Sequence, residues 1–394
     1  MKMKINKQIP IALFTLSAAG HLFGVDLETR VAELENQMQQ VRVVTPNGTC
    51  GANTALARPV LDECGECCGT GAFVQLSALY WHPKVGGTEF AYTDQDPQAQ
   101  LPIKGQVKDM DFDWSWGLKA QIGYNSSNDG WDFLLNYTWF DSHGSASTSA
   151  GRSDTVIPLR GTSSLTADQI GVFSFCQKAK SQFDFTFNAV DLEMGRHYFV
   201  SESLAFRPHI GVKSAWIDLE QITRYTGGRL VTTSTPPGSP SLTGLGVNSV
   251  HVKDDNDFWG LGPRVGVNTN WYVGNGYSLF GDAAAAMLYG RYEVHHRERY
   301  SANKDINRIH LQANRHGFVP TMQIMLGAEY DRYINNDRNH IRIRLGFESQ
   351  YYWRANQMIK VDSIDKGTNP AAKYDRYSED VSMHGLTLDV RVDF

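Results

Sequence analysis

Asp113-Trp114-Ser115-Trp116-Gly117-Leu118-Lys119-Ala120-Gln121-Ile122-Gly123-Tyr124 alternates between two kinds of residue at every step. Trp114, Trp116, Leu118, Ala120, Ile122 and Tyr124 form one series; Asp113, Ser115, Gly117, Lys119, Gln121 and Gly123 form the other. A period of two belongs to a strand whose faces meet different surroundings, because a helix would bring apolar residues together at intervals of three and four. The alternation lasts 11 residues from Trp114 to Tyr124, against an average of about 5–6 for strands of soluble sheets. A tilted strand crossing a bilayer needs roughly 9–11 residues, and aromatic ends suit the two headgroup layers.

The pattern recurs. Trp131, Phe133, Leu135, Tyr137 and Trp139 oppose Asp132, Asn136 and Thr138; Pro320, Met322, Ile324, Leu326, Ala328 and Tyr330 oppose Thr321, Gln323, Gly327 and Glu329. Ile341, Ile343, Leu345, Phe347, Tyr351 and Trp353 oppose Arg342, Arg344, Glu348 and Gln350, and the chain ends with Leu386, Leu388, Val390, Val392 and Phe394 against Thr387, Asp389, Arg391 and Asp393. Ten strands are expected, near 73–81, 111–124, 131–141, 183–198, 204–219, 258–272, 277–294, 317–332, 340–353 and 382–394. The links alternate. Those at 82–110, 142–182, 220–257, 295–316 and 354–381 are long, and those at 125–130, 199–203, 273–276 and 333–339 are short. An even strand count with short turns at one end and long loops at the other is the pattern of a transmembrane antiparallel β-barrel, with both termini on the periplasmic side. A hairpin within Thr88–Thr93 would raise the count to twelve. The change of phase from Phe183, Phe185 and Phe187 to Val190, Leu192 and Met194 predicts a bulge near Asn188.

A barrel reconciles otherwise discordant bulk properties. Mean hydropathy is −0.36, as for a soluble protein, yet the 394 residues hold 9 Trp, 17 Tyr, 19 Phe and 36 Gly. Backbone groups find no water inside a bilayer, so only a closed sheet is viable, with one lipid face and one polar face. Glycines at Gly117, Gly123, Gly260, Gly262, Gly266, Gly327 and Gly346 would leave room in a small lumen or let the strands bend. A net charge of −5 excludes a broadly basic nucleic-acid binder.

The segment before the barrel divides in three. Residues 1–24 carry Lys2, Lys4 and Lys7, an apolar stretch from Ile9 to Ala19 and small residues after it, the plan of a cleaved signal peptide. Cleavage would remove three positive charges and take the net charge from −5 to −8. Residues 25–44 place Leu27, Val31, Leu34, Met38 and Val41 at heptad spacing, which suggests a short coiled-coil-like helix. Residues 45–72 form a cysteine-rich periplasmic linker with Cys50, Cys64, Cys67 and Cys68. No second CxxC or nearby His pair completes a zinc site, so disulfides are the expected chemistry for an exported chain. The fifth cysteine, Cys176, joins the disulfide candidates but falls in a long outside loop, out of intramolecular reach of the others. No cofactor or metal is expected; His295, His296, His310 and His316 sit in or beside the 295–316 link, where loop histidines are ordinarily solvated.

An ordered series of motifs over residues 73–394 resembles the major outer membrane protein (MOMP-like) porins of Legionella and Chlamydia-related bacteria. It comprises Leu79-Tyr-Trp81 with Glu89-Phe-Ala-Tyr92, Asp111-Phe-Asp-Trp114, Gly123-Tyr-Asn125, Asp129-Gly-Trp-Asp132, Asp191-Leu-Glu-Met-Gly-Arg196, Arg207-Pro-His209 with Lys213, Ala215-Trp-Ile-Asp218 and Gly385-Leu-Thr-Leu388 through Phe394. Leu386, Leu388, Val390, Val392 and Phe394 look like the C-terminal assembly signal read by the barrel assembly machinery. The resemblance implies a porin embedded among outer membrane lipids, a trimeric or other homo-oligomeric state, and disulfide links to other envelope proteins.

Strand phase directs a candidate pore lining inward: Lys119, Asp132, Asp191, Glu193, Arg207, His209, Lys213, Arg264, Glu329, Arg342, Arg344, Glu348, Asp389 and Arg391. Passive diffusion of small hydrophilic solutes and ions is the leading function. Because the charges nearly balance, a narrow or plugged structural barrel that displays adhesive loops is the alternative. An enzyme is not expected, since no Ser/His/acid series shares a strand height.

Overall fold

The computed structural model describes residues 71–95, 104–126, 131–151, 154–161, 176–201, 203–227, 229–233, 240–244, 249–302, 304–334, 339–364 and 371–394. The signal peptide, the heptad segment and the Cys50, Cys64, Cys67 and Cys68 cluster lie outside them.

Ten long strands form the wall: β1 (Gly71–Val85), β2 (Ser115–Asn125), β3 (Trp131–Ser149), β4 (Lys178–Arg196), β5 (Leu204–Thr226), β6 (Ser249–Gly274), β7 (Tyr277–Ala302), β8 (Lys304–Ile334), β9 (Asn339–Asn356) and β10 (Glu379–Asp393). Each pairs antiparallel with its sequence neighbours, and β1 pairs with β10 from Phe73↔Asp393 to Val85↔Val381, so the sheet closes on itself. The expected strand pattern is therefore present, with ten strands. The sequence around Thr88–Thr93 adds no barrel hairpin: Ala91–Asp94 pairs with Val107–Lys108 and with Thr155–Pro158 in a separate three-stranded sheet.

Burial alternates residue by residue. Leu76, Trp116, Leu118, Phe133, Trp139, Leu192, Ile210, Leu261, Leu326, Leu345 and Leu388 are exposed on the outer face, while their neighbours are covered. One rim of this apolar belt carries Trp116, Trp139, Trp216, Trp259, Tyr289, Phe318 and Trp353, with Trp216 and Trp259 directly opposed. Tyr124, Trp131, Trp271, Tyr277 and Tyr330 mark the other, nearer the chain termini. From rim to rim the strands run 9 residues (Trp131–Trp139) to 13 residues (Tyr277–Tyr289). At ~3.3 Å per residue and a tilt near 40°, that is roughly 23–33 Å, the height of a bilayer's hydrocarbon layer.

Two expectations about strand course are corrected. No bulge interrupts β4 at Asn188: its pairing with β3 and β5 is continuous from Lys178 to Gly195. Phe183, Phe185 and Phe187 simply face inward, on the same side as Ala189, Asp191 and Glu193. The 295–316 link is not a loop, because β7 and β8 remain paired from Tyr277↔Tyr330 up to Ala302↔Lys304, far beyond the belt. Strand also replaces parts of the expected 142–182 and 220–257 loops, where β3 reaches Ser149, β4 starts at Lys178, β5 reaches Thr226 and β6 starts at Ser249.

At the end bearing the termini the links are tight. Gly274, Asn275 and Gly276 turn β6 into β7 with φ of 120°, 54° and 80°, angles that suit glycine and asparagine. Inward glycines serve particular neighbours. A side chain at Gly123 would overlap the Phe73 ring, and one at Gly266 would stand 2.5 Å from His209 Nε2.

Two measurements follow from this packing. Leu326→Arg, in the middle of the belt, is expected to destabilise the barrel by about 2–4 kcal/mol in lipid vesicles, whereas a water-facing site would tolerate it. Gly123→Ala drives a methyl into the Phe73 ring and toward the Phe133 carbonyl. It should cost about 1–3 kcal/mol in denaturant unfolding of the detergent-solubilised barrel.

Candidate functional site, the lumen and its cap

The fourteen charged or histidine side chains of the candidate lining are buried or half-buried, and they are arranged in levels. Nearest the termini, Arg207 Nε donates to Asp132 at 2.7 Å and Arg207 Nη1 lies 3.6 Å from Glu193. Arg344 Nη2 meets Asp282 at 2.5 Å and its Nε lies 3.2 Å from Glu329, which also faces Arg342 at 3.9 Å. Arg391 Nη2 pairs with Asp393 at 2.5 Å, and His340 bridges Asp393 at 3.0 Å and Asp331 at 3.2 Å. The Arg344 and Arg391 guanidiniums lie over the rings of Phe280 and Phe73. Side chains at this level keep part of their surface in solvent, 11% for Arg207, 18% for Arg342 and 21% for Asp393. These charges are therefore only partly withdrawn from solvent.

The middle level is tighter. Lys119 Nζ contacts both Glu348 oxygens at 2.5 and 2.6 Å, and Glu348 also accepts from Gln323, Gln350 and Thr387. Lys213 Nζ pairs with Asp191 at 3.0 Å, while Arg264 donates from Nε to Glu193 at 2.8 Å and from Nη2 to Gln323 at 3.0 Å. Glu348 is fully covered, and Asp191 and Lys213 are each 3% exposed. His209 stands 3.6 Å from Glu193, and Asp389 is buried on the same inner face. Charges at this depth are sustainable only because each has an opposite charge or hydrogen-bond donors beside it.

Beyond the middle level the lumen turns apolar. Trp81, Phe140, Phe183, Phe185, Phe187 and Tyr352 line it with almost no exposed surface, packed on one another and against a cap. The cap is built from the three-stranded sheet and from Met110 and Phe112. Phe90, Met110, Phe112 and Val156 point down among the wall aromatics, with the Phe112 and Phe183 rings 5.2 Å apart edge to face. Arg160 is held at the centre, 2% exposed. Its Nε donates to Glu89 O at 3.0 Å, its Nη2 donates to Gly87 O, and its Nη1 lies 3.6 Å from Asp254 on the wall. The Arg160 backbone N–H donates to Tyr225 Oη, and the Tyr225 hydroxyl donates to Phe90 O at 2.5 Å.

Beside the cap, His296 Nδ1 is 2.5 Å from Asp254 and Nε2 is 3.0 Å from Glu298. His296 thus faces the lumen from a strand, not a solvated loop; His295, on the outer face, has its ring 6.4 Å from that of His310. Among the described residues no group of three or more ligand-type side chains could hold a metal ion. Cys176 is a free thiol 3% exposed beneath the cap, and burial pushes its pKa up to about 12.

Sequence phase could have added Asp331 and Asp393 to the inward set, since they lie two residues from Glu329 and Arg391 on the same strands; Asp282 lies on a strand with no residue in that set. Arg160 carried no local signal, being one arginine in an irregular segment.

Burial works against a charged His296, but its hydrogen bonds to Asp254 and Glu298 outweigh burial and raise its pKa to about 9. A folded-state value above the unfolded ~6.5 means that this stabilisation is complete below about pH 6.5 and is lost as pH rises through 9. Protease resistance of the cap in detergent is therefore expected to fall across that upper range, and His296→Gln should abolish the step.

Comparison with solved structures finds loosely similar outer-membrane barrels. The outer membrane protease OmpT of Escherichia coli is 9% identical with a TM-score of 0.36, over 84% of this chain and 99% of that one. The translocator domain of the autotransporter NalP of Neisseria meningitidis is 9% identical with a TM-score of 0.26, over 93% and 98%. The toluene transporter TodX of Pseudomonas putida is 10% identical with a TM-score of 0.27, over 82% and 89%. No curated protein matches significantly. Residues 67–394 match the family described as Legionella pneumophila major outer membrane protein precursor. That span takes in the whole barrel, and the chain belongs to this family of outer membrane proteins.

Proposed function

We propose that the barrel is a porin that passes small hydrophilic solutes and ions. The observation that carries this reading is the lumen itself, polar and charged through the depth of the apolar belt, with side chains nearest the termini still partly solvated. A barrel serving only as an anchor would gain stability from an apolar interior, because replacing buried ion pairs by packed hydrophobic residues is often stabilising. Retained charge on the inner wall is what a permeation path requires.

The short turns and both termini then lie in the periplasm and the cap faces outside, following the asymmetry of bacterial barrels. In this conformation the path narrows at Lys119–Glu348, Lys213–Asp191 and Arg264–Glu193. Arg342 and Arg344, two residues apart on β9 at the level nearest the termini, would bias the lumen toward anions. The reading is non-catalytic: both His296 ring nitrogens are engaged by carboxylates, which leaves neither to activate a nucleophile.

One observation favours a second reading, a closed structural or adhesive barrel: the middle ion pairs interlock beneath a packed cap. Planar-bilayer recording separates the two. Purified protein should give discrete single-channel steps, and the Arg342→Ser, Arg344→Ser double variant should move the reversal potential in a salt gradient toward cations. Absence of steps, in the wild type and in variants with a loosened cap, would favour the structural barrel.

In the same reading the cysteines at 50, 64, 67 and 68 lie in the periplasm and crosslink the envelope, alone or with other envelope proteins. Non-reducing electrophoresis of whole envelopes should show high-mass species that collapse on reduction. Cys176→Ser should leave them unchanged.

A further inference from the structure

We propose that the cap is a lid latched by Arg160, and that release of this latch, not dilation of the barrel wall, opens the outer end of the lumen. The cap is a body of its own. Its three strands pair with one another, and among the described residues the isolated bridges Val156↔Cys176 and Phe112↔Gly144 link cap backbone to the edges of β4 and β3. Its other ties to the wall include single neutral hydrogen bonds, such as Gln221 Nε2 to Thr88 O at 2.9 Å and Asn356 Nδ2 to Gly86 O at 2.8 Å.

Arg160 differs in kind. One guanidinium binds the segment after β1 through Gly87 O and Glu89 O, the wall through Asp254, and the segment after β9, where it lies over the Tyr377 ring and against Met358. A planar fork with five donors can serve three partners at once, and a lysine cannot. On the wall side, Asp254 has a second partner. Asp254 keeps His296 at 2.5 Å when the guanidinium is gone, so loss of the latch is confined to the cap. What the lid covers is also local: the wall aromatics Phe183, Phe185 and Phe187 are buried at the level filled by Phe90, Phe112 and Val156.

The consequence for permeation rests on the porin reading above; the lid itself does not. Cys176, whose backbone pairs with Val156, is a built-in reporter of the lid. Intact cells carrying the full-length protein are treated with a membrane-impermeant maleimide, which from outside reaches Cys176 only if the lid lifts. Wild type should label slowly, and Arg160→Gln should label at least about tenfold faster, with folded barrel confirmed by heat-modifiable mobility. Tyr225→Phe, which removes one hydroxyl bridge between Phe90 and Arg160, should label at an intermediate rate and decides the matter alone if Arg160→Gln fails to fold. Equal labelling of the folded variant and wild type would overturn the latch. Faster labelling without any single-channel current would uphold the latch and count against the porin.

Discussion

Everything in this protein depends on pairing the first strand with the last. Within a bilayer each unpaired backbone N–H or C=O costs several kcal/mol, so a sheet of long strands cannot leave an edge there. β1 and β10 remove the edge by pairing over 13 residues, from Phe73↔Asp393 to Val85↔Val381. This contact joins residues 296 to 320 positions apart in sequence, and it forces both ends of the barrel domain to one side. It also puts Gly71 beside Phe394, where a side chain would strike the terminal carbonyl.

Closure with ten strands leaves a lumen that must be filled or wetted, and different levels solve this differently. Toward the termini, arginines and carboxylates pair yet remain partly solvated. At mid-depth, Lys119–Glu348 and Lys213–Asp191 are out of water and survive by mutual neutralisation and by donors such as Gln350, Thr387 and Asn136. Beyond them, where the wall rises above the lipid, an inserted cap adds its aromatic packing to the few wall contacts that still cross the lumen, such as Phe187 with Tyr352. Toward the cap the paired charges of the belt thus give way to aromatic packing around one buried cluster, Arg160, Asp254, His296 and Glu298.

This gradient explains which parts of the site were legible. In the belt the outside is lipid and the inside is polar, so alternation places Lys119, Arg264, Arg344 and Glu348 on the inner wall without any structure. Above the belt that contrast disappears. From His295 to His316 both faces are polar, period two vanishes from the sequence, and a ladder broken only by a register shift at Glu298/Arg299 reads as a loop. At Phe183, Phe185 and Phe187 the inside is apolar because the cap fills it, and the reversal of phase imitates a bulge although the pairing never shifts.

The sequence by itself therefore determined the architecture: strand length, aromatic rims, even count and the phase of each strand are local properties set by the solvent each residue meets. Tertiary structure decided the rest. Which lysine neutralises which glutamate depends on strands far apart in the chain, as with Lys119 on β2 and Glu348 on β9, 229 residues away. Whether the lumen is filled depends on a cap whose short strands carry no more periodicity than any loop. The position of Arg160 at its centre follows from three segments that meet only once the barrel has closed, because its partners are backbone carbonyls and a wall carboxylate that no spacing in the chain connects.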